Sequence, residues 1–411
     1  MRALAIACFA TLMVGCGAPP PPGSTGGTQV TPGACGRGVG VVHTDYQSTN
    51  VSLLGWDGSV LSPSFISSAT AGAKLSAKLT GDVMLPTEPH AGNALVVLDR
   101  YPASVITWVD VATAQVTAQL SVRSGFDANP HDYLAVSETR ALITRFHRNP
   151  DPSAVAPDRG DDVLVVDPSG PSIVESIDLT AAMAGAPEKF HASPHRMARV
   201  GARVVVTLLG KTADHSEAVA SRLVALDPST GSIDDVLVLD GLYECNGLAP
   251  SPDGQRVAVS CSGRFLGGSE PSVGESAVVV VAVGPKLVEV TRAPAVADAP
   301  FAFGVAWASD STLVANTFGR LASSSAPALP DTVVEIALPG LERRTLLESQ
   351  GEAFTLGDVR CGAACGACFA SDAGRRAVHR FTVDDSGRVG EATAIDVHDA
   401  IGLPPRFLGQ F

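Results

Sequence analysis

Polar side chains that could carry out chemistry stand at the beginning of several short apolar runs in this sequence. Two runs begin with Pro-His, at residues 130–131 and 194–195, and two contain Gly-Asp-Val, at residues 81–83 and 357–359. Carboxylates and imidazoles gathered in one place could bind a divalent cation, or act as a general base beside an electrophile. The same residue types also hydrogen-bond loop amides at strand starts, which is the simpler alternative. The candidate residues are Asp82, His131, Asp132, His195, Asn246, Phe303 and Asp358.

Three cysteines near the C-terminus have a second spacing with chemical meaning. Cys361, Cys365 and Cys368 follow the pattern CxxxCxxC, which holds an iron–sulfur cluster in the radical enzymes that use S-adenosylmethionine. With a fourth ligand such as Cys35, the same residues could bind zinc. Beyond residue 33 the chain has six cysteines, and an even set in an exported protein predicts disulfides instead.

The elements that must position these residues are short strands in a repeated pattern. Residues 129–179 contain four runs rich in β-branched residues and joined by turn residues, which predicts one antiparallel meander. A meander cannot bury both of its faces alone, and the sequence repeats it with a period of about 40–50 residues, as propeller blades do. The first copy has a poor first strand. The seven predicted blades are residues 35–66, 82–120, 129–179, 194–239, 245–291, 301–347 and 355–397.

This repeat predicts an all-β fold, a seven-bladed β-propeller of four-stranded antiparallel blades over residues 34–411. The first strand of each propeller blade lines the central axis. The candidate residues would therefore meet around the mouth of one funnel, within reach of one small ligand in a cavity of a few hundred Å³. Their placement depends on register, because alternate residues of a strand point to opposite faces.

The predicted fold also suggests how the cysteines pair. Two of the bonds would each link the first two strands of one blade, and the third would join the first and last blades. The pairs would be Cys245 with Cys261, Cys361 with Cys368, and Cys35 with Cys365. Other pairings among the four cysteines near the junction of the first and last blades are geometrically open.

Three segments carry a resemblance to a known family. They read VVDPSG at residues 165–170, VALDPSTG at residues 224–231 and LAPSPDGQRVAV at residues 248–259. Together with the repeat, which covers nearly the whole chain after residue 33, they resemble the YVTN-type seven-bladed β-propeller proteins, bacterial relatives of WD40-like propellers. The YVTN tetrapeptide itself is absent. The resemblance implies the fold and leaves the function open, because that family includes surface binding proteins and related propellers include lactonases and quinoprotein or copper enzymes.

The N-terminal residues predict export and a lipid anchor. Residues 1–15 form a signal peptide whose apolar core is too short to span a bilayer. Residues 13–16, Met-Val-Gly-Cys, resemble the bacterial lipobox, in which the cysteine, here Cys16, is lipidated after cleavage. Simple secretion with Cys16 lost or free is the alternative. Residues 16–33, rich in Pro, Gly, Ser and Thr, would be a flexible tether, and Gly17 in place of Asp favours the outer membrane.

Composition and missing motifs limit the classes of function. The formal net charge is −13 and the chain has no basic stripe, which argues against nucleic-acid binding. The sequence has no Gly-x-Ser-x-Gly nucleophile elbow, no phosphate-binding loop and no dinucleotide-binding glycine pattern. Four other histidines are expected on the surface: His191, His215, His379 and His398.

Two functions of different classes remain. The first is a monomeric binding or scaffold module, held at the cell envelope by its lipid anchor, that presents a protein, glycan or small-molecule site. It needs no cofactor, and no residue is assigned a catalytic role. The alternative is a lactonase-type hydrolase that depends on Ca²⁺ or another divalent metal bound at the axis.

Overall fold

A computed structural model of the chain describes residues 26–90, 92–264, 272–296, 298–322, 327–350, 353–397 and 402–411. The predicted signal peptide, Cys16, the first part of the tether and His398 lie outside the described residues.

The described residues form seven four-stranded antiparallel sheets and one two-stranded ribbon, and the seven sheets are the blades of a β-propeller. The first two blades contain β1 (Gly38–Thr44), β2 (Thr49–Gly55), β3 (Val60–Ser67), β4 (Val83–Met84), β5 (Ala94–Asp99), β6 (Val105–Asp110) and β7 (Val116–Ser121). Blades three and four and the ribbon contain β8 (Pro130–Ser137), β9 (Arg140–Arg148), β10 (Gly160–Asp167), β11 (Ser172–Asp178), β12 (Phe190–His191), β13 (Pro194–Val200), β14 (Arg203–Leu208), β15 (Lys211–Thr212), β16 (Arg222–Leu226) and β17 (Ile233–Val238).

The remaining blades follow the same plan. They contain β18 (Gly247–Pro250), β19 (Arg256–Ser262), β20 (Ser276–Val283), β21 (Leu287–Pro294), β22 (Phe301–Ser309), β23 (Thr312–Thr317), β24 (Thr332–Ala337), β25 (Arg343–Glu348), β26 (Leu356–Gly362), β27 (Ala367–Asp372), β28 (Ala377–Val383), β29 (Val389–Ile395) and β30 (Pro405–Gln410). Short 3₁₀ helices lie at Thr180–Met183, Val273–Glu275 and Ala363–Cys365. In the described part of the chain, no helix is long and apolar enough to cross a bilayer. The predicted all-β, seven-bladed architecture is confirmed.

The last strand of the chain closes the ring. β30 pairs with β1 in antiparallel register, with Leu408 opposite Val41, and becomes the innermost strand of the first blade. The first strand that the sequence analysis did not find in the first repeat is therefore supplied by the other end of the chain. Backbone bonds extend the junction, since the Thr44 amide donates to the Pro404 carbonyl at 3.0 Å.

The hydrophobic core lies between neighbouring blades, and a run of valines in β20 shows why. Val279 and Val281 pack in the cluster shared with blade four, while Val278 and Val280 pack in the cluster shared with blade six. Alternate side chains of a strand point to opposite faces, and both faces of an inner blade strand are covered. A continuous apolar run is thus what this architecture requires.

Three disulfides fasten the blades, and the predicted disulfide bonds are confirmed. One links the segment just before the first strand of blade five to the second strand of that blade, with a Cα–Cα distance of 3.7 Å. Another links the first two strands of blade seven at 4.0 Å, and the third joins the N-terminal segment to blade seven at 6.2 Å. The pairs are Cys245–Cys261, Cys361–Cys368 and Cys35–Cys365. All three thiols of the CxxxCxxC pattern are consumed, so the iron–sulfur and zinc alternatives do not apply.

Candidate functional site at the propeller axis

One end of the propeller axis opens into a cavity of about 330 Å³, here called the axial cavity. Its walls come from the beginnings of the first strands of the blades and from the loops between their second and third strands. The lining side chains used below are Tyr46, Arg100, His195, Arg196, Asn246, Phe303, Phe318, Phe354, Asp358, Arg360, Arg406 and Phe407.

Left-handed residues turn the chain into the first strands that reach this cavity. Asn129, Ser193 and Glu244 have φ values of 49°, 48° and 50°, and each directly precedes the Pro-His or Cys-Asn pair that begins the inner part of its blade. Such φ values are uncommon outside glycine, and they persist only where the surroundings hold the backbone. The same sharp turn therefore recurs at the mouth in blades three, four and five.

Buried carboxylates hold the loops that enter blades four and seven. Asp331, at the start of the third strand of blade six, accepts bonds from the amides of Phe354, Thr355 and Leu356 at 2.9, 2.6 and 2.9 Å. Asp161 does the same in blade three, accepting from the Ser193 amide at 2.6 Å. A carboxylate of one blade thus fixes the loop that delivers the next blade to the axis, which makes the cavity a rigid structure.

Arg196 provides a buried positive charge at the axial cavity. Only 5% of the residue is exposed, and Nη1 donates to the carbonyls of Leu85 at 3.1 Å and His131 at 3.4 Å. The nearest carboxylate is Asp132 at 3.9 Å, which is itself occupied by donors that include the Met197 amide at 2.7 Å. Burial lowers the pKa of Arg196 to about 10, so the guanidinium stays cationic at neutral pH.

Three further arginines line the same cavity. Nη1 of Arg360 donates to Asp358 at 2.9 Å, while its Nε has no partner among the described residues. Arg100 forms an ion pair with Asp82. The guanidinium of Arg406 lies 5.1 Å from the centre of the Tyr46 ring, and its Nε donates to a backbone carbonyl. Arg100 and Arg360 are each paired with a carboxylate, so the excess positive charge of the cavity comes from Arg196 and Arg406.

Aromatic rings form the other part of the wall. Phe318 lies between Phe303 and Phe354, with ring centroids 5.1 and 5.2 Å apart. Phe303 is 46% exposed and Phe354 is 39% exposed, although both belong to a cavity wall. The cavity therefore offers an apolar surface in addition to its arginines.

His195 stands at the cavity with a neutral ring. Its ring hydrogen-bonds the Asn246 backbone, and its Nδ1 has no partner among the described residues. Behind it, the His131 ring is stacked on Phe146 at 4.5 Å and meets His195 edge-on at 4.5 Å. Burial, helped by neighbouring positive groups, lowers the pKa of both histidines well below the usual range. Neither ring is protonated at neutral pH.

The structure brings together four of the seven residues that the sequence indicated. His195, Asn246, Phe303 and Asp358 line the axial cavity. The other three expected residues do not line it.

Asp82, His131 and Asp132 are absent from the lining. Asp82 is turned to its ion pair with Arg100, and the ring of His131 is packed behind the wall. Asp132 is held by the blades on either side, because it accepts bonds from the Thr87 amide at 2.9 Å and the Met197 amide at 2.7 Å.

The predicted metal site is not supported by these side chains. Within the described ranges, no group of three or more His, Cys, Asp or Glu side chains is placed to hold a metal ion. The two axial carboxylates are each engaged by an arginine, Asp82 by Arg100 and Asp358 by Arg360. An arginine-lined cavity suits an anion better than a cation.

Sequence analysis missed most of the cationic and aromatic lining. Arg196, Arg360 and Arg406 all lie in innermost strands, β13, β26 and β30. Because a charged side chain in an innermost strand avoids the apolar blade interfaces, it points to the channel. An arginine within a predicted innermost strand would therefore have indicated a residue of the cavity lining. Arg100 and Phe318 follow second strands, where the sequence offers no comparable pattern.

Among the other histidines, His215 is exposed as expected, whereas His191 is half-buried in the short strand β12. Both line a second, larger cavity of about 730 Å³ beside Phe146 and the exposed Arg148. His379 is buried rather than on the surface, and its Nε2 lies 3.1 Å from Asp372.

The sequence matches no protein-family model and none of the curated proteins. Several solved structures are similar in fold. A protein from Lactobacillus plantarum has a TM-score of 0.57 at 10% identity, over 90% of this chain and 98% of that one. A periplasmic gluconolactonase from Pseudomonas aeruginosa has a TM-score of 0.52 at 15% identity, over 90% of this chain and 98% of that one. The Swd1 β-propeller domain from Myceliophteria thermophila has a TM-score of 0.52 at 13% identity, over 87% of this chain and 96% of that one.

At these identities the likeness shows the fold alone. The similar structures have different functions, as is usual for propellers, and the resemblance to YVTN-type proteins stays a prediction. The comparisons establish that the chain is a β-propeller. Evidence on its function comes from the residues of the axial cavity.

Proposed function

We propose that this protein is an exported, lipid-anchored β-propeller of the cell envelope that binds an organic anion in its axial cavity. The anchor is supported by the lipobox-like residues 13–16, by the Pro- and Gly-rich residues after them, and by Gly17, which favours the outer membrane. Three disulfides are in keeping with an oxidising compartment.

The observation that carries the binding proposal is the charge of the cavity. Its lining holds four arginines and a single carboxylate, Asp358, in a chain whose net charge is −13. Arg196 is buried there with no carboxylate closer than 3.9 Å. Arg196 already donates to two backbone carbonyls, and a bound carboxylate would add the anion that its guanidinium lacks at hydrogen-bond distance.

Titration calorimetry with simple and aromatic carboxylates tests this proposal. The variant Arg360→Gln removes one guanidinium from the lining and should weaken anion binding about tenfold or more. Arg388→Gln is the matched control, because Arg388 is exposed on the turn between β28 and β29. If no anion binds at millimolar concentration, or if the two variants bind equally well, the proposal is wrong.

A second candidate is hydrolysis of a lactone in the same cavity. The neutral ring of His195 lines the cavity, but its Nδ1 is enclosed by the protein. The ring would have to turn before Nδ1 could accept a proton from an attacking water. The carbonyl carbon would gain the water oxygen, the ring C–O bond would break, and the leaving oxygen would take the proton back. Arg196 and Arg360 would stabilise the oxyanion and hold the hydroxy acid product.

Two of the solved structures with a similar fold carry names that make this reaction worth testing. Putative 6-phosphogluconolactonases from Bacteroides fragilis and Bacteroides uniformis match the chain with TM-scores of 0.52 and 0.51. The protein should hydrolyse gluconolactone faster than the spontaneous rate if this candidate is correct. The activity should be lost in His195→Gln and should be unaffected by a chelator. Equal rates with and without the protein would eliminate it.

A further inference from the structure

The aromatic part of the axial cavity indicates which kind of anion it takes. Aromatic residues make up 5% of the chain, yet five of the 17 lining residues are Phe or Tyr. They are Tyr46, Phe303, Phe318, Phe354 and Phe407. Rings are thus concentrated where the ligand would lie.

Three of these rings keep large exposed areas. Phe303 is 46% exposed, Phe354 is 39% exposed and Tyr46 is 56% exposed. Leaving apolar area in water costs free energy that a flat apolar ligand would recover on binding. Phe303 and Phe354 both contact Phe318, so they form one continuous wall instead of scattered surface residues.

The polar groups of the lining are few, and arginines predominate among them. No serine or threonine is among the described lining residues, and the one hydroxyl belongs to Tyr46. A hydroxyl-rich ligand such as a sugar acid would leave many of its groups without partners there, which is unfavourable. Arg196 and Arg360 are both more than nine-tenths buried, and Nε of Arg360 is unpartnered among the described residues.

We infer that the ligand of the axial cavity is an amphipathic organic anion, in which a flat aromatic ring system of two or three rings carries a carboxylate. The ring lies against Phe303, Phe318 and Phe354, and the carboxylate accepts hydrogen bonds from Arg196 and Arg360. A cavity of about 330 Å³ is large enough for such a molecule. This inference rests on the proposed anion-binding function and narrows its ligand class.

Calorimetry with four probes tests the inference: 2-naphthoate, acetate, gluconate and the neutral alcohol 2-naphthylmethanol. Naphthoate should bind about 50-fold more tightly than acetate or gluconate, the gain expected when roughly 100 Å² of ring surface leaves water. If gluconate binds as tightly as naphthoate, the inference fails and anion binding stands. If naphthylmethanol equals naphthoate, or if nothing binds, the proposed function fails as well.

Variants at the exposed rings separate ligand contact from stability. Phe303→Ser with Phe354→Ser should weaken naphthoate binding about tenfold or more and leave acetate binding unchanged. Both side chains are already about two-fifths exposed, so the melting temperature should change little. Val155→Ser is the control, because Val155 is 74% exposed and outside the cavity lining. If the double variant binds naphthoate as tightly as the control variant does, the inference is wrong.

Discussion

The disulfide between Cys35 and Cys365 should stabilise the propeller more than either of the other two. It joins residues 330 positions apart, so its loss frees the largest loop of the unfolded chain. In the chain-entropy model the constraint on a loop of n residues is worth about 2.1 + 1.5R ln n in cal/mol/K, which gives about 6 kcal/mol at 25 °C for this loop. The double replacement Cys35→Ser with Cys365→Ser should lower the free energy of unfolding by about that amount.

The bond between Cys361 and Cys368 provides the internal control. Its partners are only seven positions apart, for which the same expression gives about 2 kcal/mol. Urea unfolding of the domain, followed by tryptophan fluorescence, would compare the two double variants with the parent under non-reducing conditions. A loss for the long loop that is equal to or smaller than the loss for the short one would refute the reasoning.

Two other predictions concern acid and the membrane. His43 is 4% exposed and burial lowers its pKa to about 4, whereas the unfolded chain takes up the proton near pH 6.5, so acid favours unfolding between these values. Protonation of His43 should lower the free energy of unfolding by about 3 kcal/mol between pH 7 and pH 4. His43→Gln should therefore flatten the measured pH dependence, and an unchanged slope would show that His43 is not responsible. Cys16→Ser should move the protein from the membrane fraction to the soluble fraction, and continued membrane partitioning would exclude the lipobox.

The sequence was sufficient to predict the blades because their strands are determined locally. Runs such as Val278 to Val281 and turns such as the one at residues 251–254 are readable within a few positions. The closing strand was not predictable in this way. Pro405–Gln410 is short and pairs with residues at the opposite end of the chain, so its role depends on ring geometry that no local pattern encodes.

The site was only partly predictable because it depends on side-chain direction. His131 and Asp132 begin their strand as His195 and Arg196 begin theirs, yet only the second pair reaches the axial cavity. In blade three, the His131 ring stacks on Phe146, and the Asp132 carboxylate beside it accepts hydrogen bonds from backbone amides. Local periodicity gives the position of a residue along a strand, and the neighbouring blades decide what its side chain contacts.

The closing strand also ties ligand binding to the completeness of the chain. Arg406 and Phe407 lie on β30, so the strand that seals the ring also contributes a cation and a ring to the axial cavity. A polypeptide that ends before residue 405 lacks both the seal and part of the cavity wall. Because the ligand would bind only the sealed form, it adds RT ln(1 + [L]/Kd) to the free energy that holds the two chain ends together. Occupancy would thus mark a propeller whose ring has been closed by β30.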